Sequence, residues 1–316
     1  MAVVHSVSDL NTNVLLRGNA LGLSSMLIWS LAFPAADLLL VNWDPMALTV
    51  TRFAISVLFL IPIWIMLEGW DTVRKAPWLR GILIGGPTFG LAPYLLLVSQ
   101  GFTSAVTAAI LASTLPIVST LIEVITGERK LRSYFVIGLA LSVVGAIVAT
   151  GQVDAVSLGW GALAMIGSVT LFALGSYWSV RQFPEVTPMG HAALPLVGGL
   201  IMTILIYGGM VLLGMDVVPQ HNISTTEWTW IVVYALAGMA ISQLLWVAAI
   251  GHIGVALASF HINATPFYVM IYMLFLGAAW DWRAAIGAAI VIAGVIVAQK
   301  RKRKLPLAKG PIRPDR

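Results

Sequence analysis

Between Asp44 and Glu68 the chain reads PMALTVTRFAISVLFLIPIWIML, 23 residues with one charge, and runs of this kind recur along nearly its whole length. About 20 apolar residues in a helix cross the hydrocarbon core of a bilayer. In lipid a helix satisfies its own backbone polar groups, so such runs are read as membrane-spanning helices. Composition agrees. Hydrophobic residues make up 59% of the chain and charged ones 10%, whereas an ordinary soluble domain is about 25% charged. A soluble fold of this size could not hide so much apolar surface. The expected class is an all-α polytopic membrane protein. Cysteine is absent, which excludes disulfides and thiolate metal centres. Residues 1–16 are polar and lack a signal peptide's apolar core and cleavage site, so the first apolar run is expected to be retained.

Charges and Gly or Pro clusters divide the chain into ten candidate spans at 18–40, 45–67, 79–99, 102–126, 133–150, 159–181, 189–213, 227–249, 253–277 and 283–299. The joints SQGFT at 99–103 and IGHIG at 250–254 are short enough to make tight helical hairpins. Lys and Arg mark the cytoplasmic side. Arg17, Arg74, Lys75, Arg80, Arg129, Lys130, Arg132 and Arg181 fall on alternate joints, and the tail from Lys300 to Arg316 adds eight more, so 16 of 18 positives share one face. Asp44, Asp154, Asp216, Glu227 and Asp281 fall on the other side. Both termini are therefore expected in the cytoplasm. The KRKRK run at 300–304 is read as a topology anchor beside lipid rather than a nucleic-acid site.

Shifting the sequence by 150 residues lays Gly101 on Gly251, Ala108 on Ala258, Pro116 on Pro266 and Gly127 on Gly277. One residue fewer then lays Gly138 on Gly287 and Gly145 on Gly294. These residue types have backbone roles that others replace poorly. The chain divides into a cytoplasmic segment 1–17, five-helix repeats at 18–150 and 159–299, and a tail at 300–316. Five spans are an odd number, so the second repeat should enter the membrane inverted, an arrangement typical of transporters with a site at mid-depth. Pro116 and Pro266 are read as paired hinges, with simple packing kinks as the other reading. Gly138, Gly145, Gly287 and Gly294 suit close packing of the fifth and tenth helices, against neighbours or a second copy.

The stretches IWSLAFPAAD at 28–37 and DPMALTVTRFAISVLFLIP at 44–62, with the Gly-hairpin-helix-Pro pattern closing each half, resemble the EamA-type drug/metabolite transporter superfamily. Length and Trp content are similar to its YddG-like aromatic amino acid exporter branch. The resemblance implies a basket in which the first, third, fourth, sixth, eighth and ninth helices surround a central cavity and the fifth and tenth lie outside. It also implies a bacterial inner-membrane location and transport outward.

Polar groups within spans tend to face the protein interior. Ser242, Gln243 and Trp246 cluster in the eighth span; His261, Thr265 and Tyr268 form one helical stripe in the ninth, with Asn263 off it. Thr88, Phe89 and Tyr94 in the third, Thr107 and Thr114 in the fourth, Trp29 in the first, and Tyr177 and Trp178 in the sixth complete the candidate lining. Such a lining suits an aromatic amino acid, whose ring stacks on rings and whose ammonium rests against Trp or Tyr. His261 reads either as a proton carrier or as a helix-to-helix hydrogen-bond partner. Asp37 and Arg52 are expected to form a structural ion pair. Trp43, Trp70, Trp78, Trp160, Trp228, Trp230, Trp280 and Trp282, near span ends, read as interfacial belt residues.

No lysine falls within a span, which argues against a phosphate carrier. A nearly uncharged cavity suits a zwitterion or neutral amphiphile, a multidrug or quaternary-cation carrier being the alternative. A channel or membrane enzyme fits less well, because neither a His-rich metal cluster nor a definable catalytic grouping is found. No cofactor is expected. The expected partners are a small-molecule substrate and the bilayer, with monomer and homodimer both open.

Overall fold

The computed structural model describes residues 12–127, 130, 133–149, 155–183 and 185–298, and every regular element among them is helical. Seven helical stretches are long and apolar enough to cross a membrane, and two shorter apolar helices accompany them. The basic residues Arg129 and Arg132, Asp154, and the tail from Lys300 lie outside the described residues.

The first stretch is α1 (Thr12–Ser30) and α2 (Ala32–Leu39), interrupted at Leu31. Pro34 lacks the N–H that would bond back to Ser30, and the break falls one turn before it. α3 (Pro45–Glu68) starts on a cap: the Asp44 carboxylate accepts from Met46 N at 2.7 Å, with Pro45 in the first turn. It ends at Gly69, whose φ of 83° favours glycine. A short α4 (Trp70–Lys75) follows. Then α5 (Trp78–Gly85), a π-helical segment Gly86–Gly90 and α6 (Leu91–Phe102) form one continuous stretch. Ser104 caps α7 (Ala105–Ala112) by accepting from Thr107 N at 3.2 Å, and α8 (Leu115–Ile125) and α9 (Ser133–Ala149) complete the half.

The second half repeats this order. After α10 (Ala155–Gln182), α11 (Pro188–Leu212) starts on Thr187 and Pro188, as α3 does on Asp44 and Pro45. A capping box of Ser224 and Glu227 opens α12 (Thr225–Val232). It continues through a π-helical segment Val233–Ile241 into α13 (Ser242–Ala258). A 3-10 segment Ser259–Ala264, α14 (Thr265–Phe275) and α15 (Trp282–Ala298) follow.

Among the described residues, pairs of helices from opposite halves cross antiparallel. In α9 and α15, Gly138 lies on Gly294 and Ala298, while Gly145 lies on Gly287 and Val291. A Cβ on Gly287 would come within 2.6 Å of the Gly145 carbonyl oxygen, so bare backbone is required on both sides. The four glycines therefore serve contact between α9 and α15 of one chain. In α3 and α11, Phe53 meets Gly199 and Trp64 meets Gly190. In α6 and α10, Ser168 donates to the Ala92 carbonyl at 2.7 Å while Gly161 lies against Thr103.

The hairpin expected at IGHIG is corrected. Helix α13 continues through 250–254 to Ala258. Its contacts with α1 run antiparallel from Ser242 at Ser25 to Ile253 at Gly18, and those of the 3-10 segment and α14 then run parallel, from His261 at Gly22 to Tyr272 at Leu27. The chain thus reverses between Ile253 and His261. The physical difference from the first half is the cap: Ser104 stops and restarts the helix there, whereas the position 150 residues later is Gly254.

The belt reading of Trp43 is also corrected. Its side chain is 7% exposed and packs with Ala36, Leu39, Ala47 and Tyr234, whereas Trp70, Trp160, Trp228 and Trp282 are exposed.

Candidate functional site

The two π-helical segments occupy equivalent places, since a shift of 150 residues carries Gly86–Gly90 inside Val233–Ile241. A π-bulge inserts a residue into the α-helical ladder, leaving carbonyl oxygens open to outside donors. Just past each segment a serine from the opposite half supplies one. Ser25 Oγ donates to Ser242 O and Ser168 Oγ to Ala92 O, both at 2.7 Å. Ser25 and Ser168 are 143 residues apart, the separation that also relates Pro45 to Pro188.

Within the second π-helical segment the donors come from α3. Arg52 is 4% exposed. Its Nη1 donates to the Tyr234 hydroxyl at 3.0 Å, its Nη2 to the Gly238 carbonyl, and its guanidinium carbon lies 4.2 Å from the centre of the Tyr234 ring. One turn on, Ser56 Oγ donates to the Ala235 carbonyl at 3.0 Å. The expected Asp37–Arg52 ion pair is therefore not formed. Asp37 turns instead to the start of α7, where it accepts from Gln100 Nε2 at 2.7 Å and from Ala105 N at 3.4 Å. A helix N-terminus favours a carboxylate. Gln100 Nε2 also donates to the Phe33 carbonyl at 2.7 Å, so α2, α6 and α7 are tied at one point. Asp37→Ala removes an acceptor from a buried amide, which costs about 1–3 kcal/mol. Its melting temperature in detergent should fall, and Asp37→Asn, which keeps an oxygen for Gln100, should lose less. Equal melting of wild type and Asp37→Ala would refute this account.

The sequence-named residues fall into two groups. On the α1–α13–α14 side, Ser242 is buried and its hydroxyl donates to Met239 O at 3.2 Å. Gln243 and Trp246 are partly exposed, as is every residue from Gln243 to Ala248. Gln243 makes no hydrogen bond among the described residues. His261 is partly exposed; its Nδ1 lies 3.1 Å from Ala258 O, and its ring sits flat on Gly22, where a Cβ would come within 2.9 Å of it. Tyr268 is partly exposed one turn before Tyr272, whose hydroxyl donates to Leu27 O at 3.0 Å. Asn263 is buried with Oδ1 unpartnered, and Thr265 Oγ1 reaches only Met26 Sδ at 3.9 Å.

On the α6–α10 side, Phe89 stacks edge-on against Phe172 at 5.3 Å, and Tyr94 is partly exposed. Tyr177 carries the Arg181 guanidinium 3.6 Å above its ring. Trp178 is 42% exposed, off the face of α10 that buries Met165, Ser168 and Val169. Trp29 packs edge-on against Phe33 at 5.1 Å, in a cluster that joins α1 to α7, α10 and α14. Thr88, Thr107 and Thr114 are occupied locally, by Ile84 O, Ser104 Oγ and Leu111 O respectively. None of the named candidates lines the open hollow of about 490 Å³ at the start of α1, whose walls include Asn13, Arg17 and His252.

Pro116 and Pro266 do not kink continuous helices. Each lies in the first turn of a new one, α8 after the turn at Ser113–Thr114 and α14 after the 3-10 segment. Their missing N–H groups fall where no helical partner exists.

Sequence reasoning passed over Ser25, Ser56, Gln100, Ser168 and Tyr234. The one available signal was the 143-residue separation of the two serines. The other three are polar residues within apolar runs, and nothing local marks their distant partners.

Known proteins supply three comparisons. The model of the EamA-like transporter family matches residues 16–151 and again 159–299. An uncharacterized transporter, YyaM of Bacillus subtilis (strain 168), is 23% identical over 266 residues, 81% of this chain and 85% of that protein. A crystal structure described only as that of a protein superposes with a TM-score of 0.65 at 20% identity, over 89% of this chain and 96% of that one. That likeness is one of fold.

Proposed function

The chain belongs to the EamA-like transporter family, and from that premise we propose that it exports small amphiphilic metabolites, aromatic or other neutral amino acids foremost, by alternating access. Membership makes it a multi-pass membrane transporter of the drug/metabolite type rather than an enzyme. The finer reading is ten spans in two inverted five-helix repeats around a central cavity, in a bacterial inner membrane with both termini cytoplasmic. The antiparallel crossing of α9 on α15 supports it: Gly138 meets Gly294 and Gly145 meets Gly287, a reciprocal pattern that a two-fold axis in the membrane plane produces. The two stretches matched by the family model agree with repeats of that extent.

The substrate class rests on one observation. From Gln243 to Ala248 every residue of α13 is partly exposed, although α1 and α11 pack against this helix. No residue in that run is charged, and Gln243 and Trp246 are its amide and its large ring. An amide that neither donates nor accepts among the described residues suits a carboxylate or ammonium, and an indole suits an aromatic side chain. The aromatic residues at Trp29, Tyr94 and Tyr268 extend that reading, which is in keeping with the aromatic amino acid exporter branch. Pro116 and Pro266, each following a helix break, are assigned the hinges.

Counterflow in proteoliposomes tests the proposal, with labelled Phe, Trp and Thr and a quaternary ammonium compound as probes. Phe and Trp should exchange with saturation, independently of an imposed pH gradient. Gln243→Ala and Trp246→Ala should each lower exchange about tenfold, the worth of one charge-assisted hydrogen bond or aromatic contact. Exchange of the quaternary ammonium alone would replace the substrate class, linear flux would replace the carrier by a pore, and unaffected variants would move the site.

A further inference from the structure

We propose that Arg52 and Ser56 form a latch on the π-helical segment Val233–Ile241 that positions Gln243 and Trp246, and that the first half has no such latch, so the two halves of the carrier yield unequally. The proposal rests on the transporter reading above and concerns how its site is held.

The donors reach three levels of one segment: the Tyr234 hydroxyl, the Ala235 carbonyl and the Gly238 carbonyl. A guanidinium offers five N–H groups in a rigid fork and stays charged. Among the described residues its hydrogen-bond partners are neutral oxygens, and its Nε is buried without one. A cation in that position cannot leave its two acceptors without finding others. The fork therefore fixes how far the segment unwinds. Gln243 follows Gly238 by five residues, about 7.5 Å of helix rise, so the direction of both candidate side chains is set by that fixed turn.

Facing the first half's π-helical segment, the equivalent positions carry different chemistry. The 143-residue separation takes Arg52 to Pro195 and Ser56 to Gly199, neither of which has a polar side chain. There α11 meets Gly85, Gly86 and Gly90 directly: a Cβ on Gly90 would lie 3.0 Å from the Gly199 Cα, and one on Gly86 would lie 3.4 Å from the Gly198 carbonyl oxygen. Among the described residues no side chain of α11 donates to Gly86–Gly90. Backbone on backbone can slide with little to break, whereas the second half must exchange hydrogen bonds to move.

The natural chain contains no cysteine, so single cysteines report without background. Leu245→Cys in α13 and Leu95→Cys in α6 stand 150 residues apart and both sites are partly exposed. Full-length protein carrying either one, in proteoliposomes, is reacted with a water-soluble maleimide. Arg52→Met and Ser56→Ala should each change the labelling rate of Leu245→Cys about threefold or more, within the worth of a net buried hydrogen bond, and leave Leu95→Cys unchanged. Arg52→Lys, which keeps the charge but not the fork, should fall between wild type and Arg52→Met. Ser56→Ala removes a single hydroxyl and keeps the test alive should Arg52→Met fail to fold. Equal changes at both cysteines, or none at either, would overturn the latch. Labelling needs no substrate, so a lack of amino acid counterflow would remove the substrate reading and leave this result standing.

Discussion

Gly145→Leu is expected to leave little folded protein in detergent at temperatures where the wild type is intact. A Cβ alone at that position would come within 2.7 Å of Val291 N and 2.8 Å of the Gly287 carbonyl oxygen. Both are backbone atoms in a helix, so no rotamer change relieves the clash and α9 must part from α15. Overpacking a well-filled interior costs about 1–3 kcal/mol where side chains can shift, and parting two helices forfeits the contacts that hold them in lipid as well. Gly208→Leu in α11 supplies the control, because nothing lies within 4 Å of a Cβ there. That change should be neutral or slightly stabilising, since leucine is the better helix former. Gly287→Leu should resemble Gly145→Leu, and the double variant should be little worse than either, the two damaging one crossing. Thermal unfolding followed by size-exclusion chromatography reads all four. A Gly145→Leu protein that melts with the wild type would show that this crossing does not form.

Those glycines also mark the limit of what one sequence discloses. Their seven-residue spacing in each of two helices signalled close packing, because glycine on one face of an apolar helix has few other uses. Which surface they met was open until α9 and α15 were seen to cross, since spacing is a property of one helix and contact a property of two. The helix interruptions were legible for a related reason. Pro116 and Pro266 each sit two residues beyond a break, because a missing N–H acts locally. The π-helical segments behave otherwise. Gly86–Gly90 carries glycine and proline, but Val233–Ile241 reads as ordinary helix, and its extra residue is tolerated because Arg52 and Ser56 take the carbonyls. Their acceptors are 186 and 179 residues away. The same distance misled the reading of Arg52: an Asp at similar depth on the neighbouring helix was the partner visible in sequence, and a phenol and a carbonyl from the other half were not. At the candidate site, residue types in the eighth and ninth spans were legible from polarity alone. That Thr88, Thr107 and Thr114 serve their own helix breaks was not, because a hydroxyl in a span can turn back to its own carbonyls as readily as inward.

Trp64→Ala should be the most damaging single truncation in α3. Trp64 is 1% exposed, among the largest fully buried side chains, and it fills the end of the α3–α11 crossing nearest Glu68 and Thr187, where Gly190 would meet its Cζ2 within 2.9 Å of an added Cβ. Its ring lies 5.9 Å from that of Trp78, and its Nε1 donates to Glu68 at 2.8 Å. The same Glu68 oxygen accepts from Thr187 Oγ1 at 2.6 Å, the residue that caps α11. One side chain thus supports a contact between the halves twice, by volume and by orienting the carboxylate that holds the opposite helix start. Truncating a buried Trp costs about 3–5 kcal/mol when its cavity cannot collapse, and here it also takes away the N–H that Glu68 accepts. Trp64→Phe keeps most of the volume and loses the N–H, which should cost about 1 kcal/mol. Trp70→Ala, six residues on and 59% exposed, should change the melting temperature little. If Trp64→Ala and Trp70→Ala melt alike, the Glu68–Thr187 end of the crossing is not where the halves are joined, and the load falls on the glycine contacts of α11 with the first π-helical segment.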